Sequence, residues 1–159
     1  MSCIVSATIS IPNRNGWLRG LFSGQPHQLI GAAGRPYLLR WFLIPPNRWC
    51  NIYWHRFVGS DEPVPHNHPW QFMSIVLRGS YIEVGSDGRP ARRRAGHLAL
   101  RRAEHRHYVV LETVDGSVRP CTTIIVTGRR SRPWGFWCAE DQFVPWHEFG
   151  PGGCGQARP

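Results

Sequence analysis

The sequence predicts an all-β chain of short antiparallel strands closed into a sandwich or barrel. Three observations predict it. Glycine and proline supply 17 and 14 of the 159 residues, a density that argues against long helices. Apolar runs of five to nine residues recur from Tyr37 onward, and each is closed by a Gly, Pro, Asn or Asp cluster. Hydrophobic residues make 42% of the chain and aromatics 12%, enough to build a core.

Taken in order, Cys3–Ile11 reads as a short strand rich in Ile, Val and Thr, followed by a Gly/Asn/Arg-rich connector through Gly24. Gln25–Ala33 reads as one or two helical turns. The strands expected after it are Tyr37–Ile44, Cys50–Val58, Trp70–Leu77, Ser80–Val84, Pro90–Arg94, His97–Arg101, Arg106–Leu111, Cys121–Thr127 and Trp134–Trp137. Gly79 follows the third of these so closely that the next strand must double back at once. Gly85-Ser86-Asp87-Gly88 closes the following hairpin. The chain therefore divides into an N-terminal extension (1–34) packed on or exchanged with the barrel, a barrel (35–149) and a flexible glycine-rich tail (150–159).

The charge is lopsided, with 19 basic against 10 acidic residues and a net charge of +9. Every basic residue is arginine, so part of the excess reflects composition rather than a binding surface. Arg89, Arg92, Arg93, Arg94, Arg101, Arg102 and Arg106 form one cluster, and Arg129, Arg130 and Arg132 a second. Such knots can grip phosphates, but alternating arginines on hairpins are also the wet face of a sheet, and nucleic acid is not the expected partner. The five cysteines are odd in number and scattered, which suggests a reduced, intracellular chain. No apolar run approaches the roughly 20 residues needed to span a bilayer, and Met1–Ile11 lacks a signal-like charged and apolar pattern. The expected location is the cytoplasm.

Five of the eight histidines fall in two windows, His66 and His68, then His97, His105 and His107. Alternate residues of a strand face one side about 6–7 Å apart, so His66 and His68 can converge on one ion from a single edge. A third imidazole must then come from a neighbouring strand. His107 begins an apolar run and His105 shares its parity, which leaves the choice between them open on spacing.

Gly59–Gly79 resembles the first motif of the cupins, in which a Gly, a short spacer, HxH and a strand ending in Gly supply most of a metal site. Arg94–Leu111 resembles the second motif, with its single His. The chain is more narrowly similar to small bacterial and phage cupins through Tyr37, Leu38, Arg40 and Trp41; His66, His68, Pro69 and Trp70; Ser74; Gly79, Tyr81 and Glu83; His107; and Thr123, Thr127, Gly128, Arg130, Trp134, Gly135 and Phe136. The resemblance covers about residues 35–149. It implies a double-stranded β-helix, the cupin jelly-roll barrel, with a short N-terminal strand/helix extension, and it favours His107 over His105.

Two departures bear on the site. Phe72 stands where a cupin usually places a Glu ligand, so the site is either a neutral three-His centre or one in which Glu83 reaches the ion from the returning hairpin. The second motif also lacks its usual Pro and Asn. Imidazole ligands suit Fe, Zn, Cu or Ni, while a carboxylate raises the case for Mn or Fe, and the resemblance implies Fe(II) first. It implies a mononuclear enzyme, an oxygenase acting on a small polar or aromatic molecule. The alternatives are a non-catalytic metal- or small-molecule-binding cupin and a metal-free epimerase-like cupin using Tyr81. Trp41, Trp54, Trp70, Phe72, Tyr81 and Trp134 are candidates for an aromatic lining, and Arg40, Arg56 or Arg130 for binding an anionic group. His55 is read as a pocket wall or a buried hydrogen-bonded imidazole. A homodimer joined through a sheet edge, with Cys3–Ile11 as an exchanged strand, is the expected assembly.

Overall fold

The computed structural model describes residues 14–32, 34–149 and 154. The strand expected at Cys3–Ile11 lies outside them. The first element is a helix, α1 (Arg14–Ser23), followed by β1 (Gln28–Ala32), β2 (Arg35–Phe42), β3 (Asn51–Phe57), β4 (Phe72–Arg78), β5 (Ser80–Gly85), β6 (Pro90–Arg94), β7 (Leu98–Arg101) and β8 (His107–Leu111). A two-residue hairpin, β9 (Thr113–Val114) and β10 (Ser117–Val118), precedes β11 (Cys121–Thr127), β12 (Gly135–Trp137) and β13 (Phe143–Pro145).

These strands form two facing sheets. One runs β1-β2-β3-β11-β4-β7 and the other β6-β5-β8, and β12 pairs with β13. Burial alternates along the strands as period-2 geometry requires: Tyr53 and His55 point in while Trp54 and Arg56 point out, and Phe72, Ser74 and Val76 are all inward. Val76, Tyr81, Val109, Leu111 and Cys121 pack together across both sheets and form the apolar end of the barrel. Gly79 makes the turn from β4 to β5 at φ +80°, where a Cβ would stand 2.5 Å from the Pro120 carbonyl. Only glycine fits that turn.

The N-terminal region corrects two expectations. The connector expected before Gly24 contains α1, which is held by a hydrogen bond from Trp17 Nε1 to the Phe42 carbonyl (2.8 Å) and a contact of His27 Nε2 with the Trp17 carbonyl (2.9 Å). The turns expected at Gln25–Ala33 are instead β1, because pairing with the free edge of β2 outweighs a weak local helical preference. The cysteines supply a third correction: Cys138 and Cys154 form a disulfide, so the chain is not uniformly reduced, while Cys50 and Cys121 are free thiols. Among the described residues no helix is long and apolar enough to cross a membrane.

Candidate metal centre and its cavity

His66 and His68 lie in the loop between β3 and β4, and backbone bonds turn that loop into a strand across the barrel. His66 and His107 exchange both backbone hydrogen bonds (2.9 and 3.1 Å), and His66 also bridges to Phe136 on β12. Asn67 points the opposite way and is fully buried. Its Nδ2 donates to the Pro133 carbonyl (3.0 Å), and its Oδ1 accepts from Gly135 N (3.1 Å) and Trp137 Nε1 (3.3 Å). The middle residue of the HxH segment thus bolts it to β12, leaving the two imidazoles facing inward. At Gly135 a Cβ would meet the Val144 carbonyl at 2.2 Å, so the close approach of β12 and β13 behind this bolt also requires glycine.

The imidazoles of His66, His68 and His107 each offer a nitrogen within 4.8 Å of the other two. His68 Nε2 and His107 Nε2 stand 2.9 Å apart. Two nitrogens bound to one ion at about 2.1 Å and a right angle would be separated by about 3.0 Å, so this spacing suits a shared ion. His66 Nδ1 is buried without a hydrogen-bond partner, as a position intended for a lone pair would be. Burial, reinforced by the neighbouring imidazoles, lowers the pKa of His66 to about 3 and that of His68 well below the histidine range. His107 is lowered by burial too, with Glu83 opposing. All three are neutral at pH 7, the form that ligates.

His107, on β8, is the imidazole that joins His66 and His68. His105 turns away and sets Nε2 3.0 Å from Glu83 Oε1. Glu83 sits behind His107, 2.7 Å from its Nδ1, and accepts from Arg93 Nε (2.8 Å) and from Arg101 Nε (3.0 Å) and NH2 (2.6 Å). Burial alone would raise its pKa, but His105, His107 and Arg101 together hold it far below the carboxylate range. Glu83, His105 and His107 also bring one ligand atom each within 4.8 Å, yet both Glu83 oxygens are already engaged by guanidiniums. The position of Glu83 fixes Nδ1–H on His107 and frees Nε2 for an ion. Arg93 and Arg101, read from sequence as surface cations, are thereby turned toward the interior while remaining partly exposed.

A cavity of about 560 Å³ opens from the three histidines. Arg40, Trp70, Phe72, Tyr81, Trp134 and Arg130 all line it. Tyr81 is buried, and burial followed by the Glu83 charge pushes its pKa up to about 12. Trp41, Trp54 and Arg56 do not belong to the lining. Strand parity turns them to the outer face, where they border a separate groove. His55 is both a pocket wall and a hydrogen-bonded imidazole, accepting from Arg40 Nε at 2.8 Å.

Two site residues escape a reading by alternation because they lie in loops. Asn67 is one. Asp61 is the other: its Oδ2 accepts from Val109 N (2.9 Å) and lies 4.0 Å from His66 Nε2. Burial raises its pKa to about 7 against that hydrogen bond, so this cavity carboxyl can hold or release a proton near neutrality.

No protein-family model and no curated protein matches the chain. Among solved structures it is similar to the polyketide cyclase RemF from Streptomyces resistomycificus, with 20% identity over 71% of this chain and 78% of that chain and a TM-score of 0.54. It also aligns with a conserved Klebsiella pneumoniae protein with a double-stranded β-helix domain (16% identity, 64% and 88% coverage, TM-score 0.49). A cupin-superfamily sugar phosphate isomerase from Silicibacter pomeroyi aligns at 16% identity (63% and 65% coverage, TM-score 0.48). At such identities the likeness is one of fold. With its two facing antiparallel sheets, the chain has the double-stranded β-helix fold.

Proposed function

We propose that the protein binds one divalent ion at His66, His68 and His107 and acts on a small organic molecule in the adjoining cavity, with Fe(II) as the ion and oxygenation as the reaction class. The observation that carries this reading is the convergence of three neutral imidazoles at the base of a 560 Å³ cavity. An all-imidazole set suits Fe, Zn, Cu or Ni, and an ion held by His66, His68 and His107 would supply Lewis-acid or redox chemistry at the cavity.

The chain's own residues have distinct tasks. Glu83 holds the tautomer and ring angle of His107. Asn67 holds the HxH segment. Trp70, Phe72 and Tyr53 exclude water from the reacting end, and Asp61 can exchange a proton at its carboxyl. RemF, by its name a cyclase of polyketides, has the same fold, and a planar, oxygen-rich molecule would suit an aromatic cavity such as this one.

The test is metal analysis of tag-free protein beside a His66→Ala/His68→Ala variant, followed by oxygen uptake with a panel of small carbonyl and phenolic compounds. About one ion per chain, lost in the variant, and substrate-dependent uptake are expected. Unchanged ion content in the variant would overturn the metal centre. A bound ion without uptake would overturn the oxygenase assignment.

A further inference from the structure

One row of residues on the inner face of the larger sheet is polar across four neighbouring strands, β1, β2, β3 and β11. Gln28 on β1 is paired in register with Arg40 on β2, Arg40 with His55 on β3, and His55 with Thr123 on β11. All four line the cavity. The adjacent inward row, Phe42 opposite Tyr53, is aromatic.

The centre of the polar row is a cation without an anion. Arg40 donates from Nε to His55 Nε2 (2.8 Å) and from NH1 to Gln28 Oε1 (3.2 Å), and its guanidinium lies 4.6 Å over the Tyr53 ring. Each partner is neutral. NH2 has no hydrogen-bond partner among the described residues. Burial and the Arg40 charge hold the His55 pKa well below the histidine range, so the imidazole is neutral; it accepts a hydrogen bond from Arg40 but supplies no anion. The inward carboxylate Glu83 is taken by Arg93 and Arg101, and Asp61 is tied to Val109 N. Arg92, Arg93, Arg101, Arg106 and Arg132 all have carboxylate partners. Arg40 has none among the described residues. Thr123 adds a hydroxyl that is buried without a partner, on a residue only 1% exposed.

A half-buried cation that no described residue neutralises is costly and marks a place for an anion that comes and goes. Arg48 and Arg130, toward the outside of the same cavity, extend the positive field toward solvent. We infer that the cavity takes an organic monocarboxylate, its carboxylate on Arg40 and its planar body against Tyr53, Trp70 and Phe72. This deepens the functional proposal and rests on it only for the claim that the ligand is a substrate. The anion site itself is independent of the ion.

Calorimetry on the tag-free full chain with benzoate, and with benzamide as its uncharged counterpart, tests the inference. Benzoate should bind wild type at least tenfold more tightly than benzamide does. Arg40→Gln should lose roughly tenfold or more of the benzoate affinity, as for a charge-assisted bond, while keeping its ion content and its benzamide affinity. The wild-type comparison keeps the inference falsifiable even if Arg40→Gln fails to fold: equal affinity for the two probes, or no benzoate binding, would overturn it. The His66→Ala/His68→Ala chain separates the two proposals. Arg40-dependent benzoate binding in that chain supports the anion site whatever the fate of the metal. Benzoate binding that vanishes with the histidines yet ignores Arg40→Gln places the anion on the ion and overturns the inference.

Discussion

Replacing Glu83 with Gln removes one charge from the most heavily bonded carboxylate in the barrel. Its side chain is 5% exposed and faces Arg101 and Arg93, whose side chains are 16% and 29% exposed. Breaking a buried pair by neutralising one partner costs about 3–5 kcal/mol. The lower end applies because both guanidiniums retain some access to water. At about 3 kcal/mol, a chain of this size should melt roughly 6–12 °C lower. The sign with pH follows from the depressed folded pKa: the stabilisation is fully present above about pH 4.3 and declines as pH falls below it. The gap between wild type and Glu83→Gln should therefore narrow in acid. Because Glu83 also orients His107, metal affinity should fall about tenfold to a hundredfold, read by competition with a chromophoric chelator. A melting shift under 2 °C would refute the energetic argument, and unchanged metal affinity in a destabilised variant would refute the orienting role.

Asp61→Asn should act oppositely on the metal-free protein. A carboxyl raised to about 7 and 7% exposed costs stability as pH climbs from about 4 to 7, by up to about 4 kcal/mol. The chelator-treated Asn variant should thus melt above wild type at pH 8, with the difference shrinking toward pH 4. Asn67→Ala strands the Gly135 and Trp137 donors and the Pro133 acceptor, costs about 3 kcal/mol, and should weaken metal binding although no ligand is changed; thermal melts and chelator competition check both. Cys154→Ser opens a disulfide that spans 16 residues, worth about 3 kcal/mol by loop entropy. Wild type in reductant should melt at the same lowered temperature as the variant.

The barrel was legible because its strands combine two local signals, alternation and turn punctuation, that do not depend on distant partners. Pro90–Arg94 and Cys121–Thr127 fall where the pattern puts them. What escaped the pattern was set by contacts between distant residues. β1 is a strand because β2 has an edge to pair, and α1 is anchored by Trp17 and His27, neither of which announces its partner in sequence. The histidines were visible as a spacing, and His107 was distinguishable from His105 only through the resemblance. Glu83 was visible as a carboxylate near the site, yet its position behind His107 depends on Arg93 and Arg101 folding inward, which local charge patterning represents as surface. Asp61 and Asn67 sit in a loop with no period, where alternation carries no information.

The double bridging of His66, to His107 on one side and Phe136 on the other, also bears on when the site can exist. His68 and His107 are separated by 39 residues and Asn67 and Trp137 by 70, so no local segment can preassemble the imidazoles. Closure of such long loops comes late in folding. A chain emerging from the ribosome cannot present the three-nitrogen face until residue 107 is free to pair with residue 66. Ion capture at this face would therefore report completed folding, and an ion supplied during refolding should bind at the rate of the last docking step rather than accelerate the first.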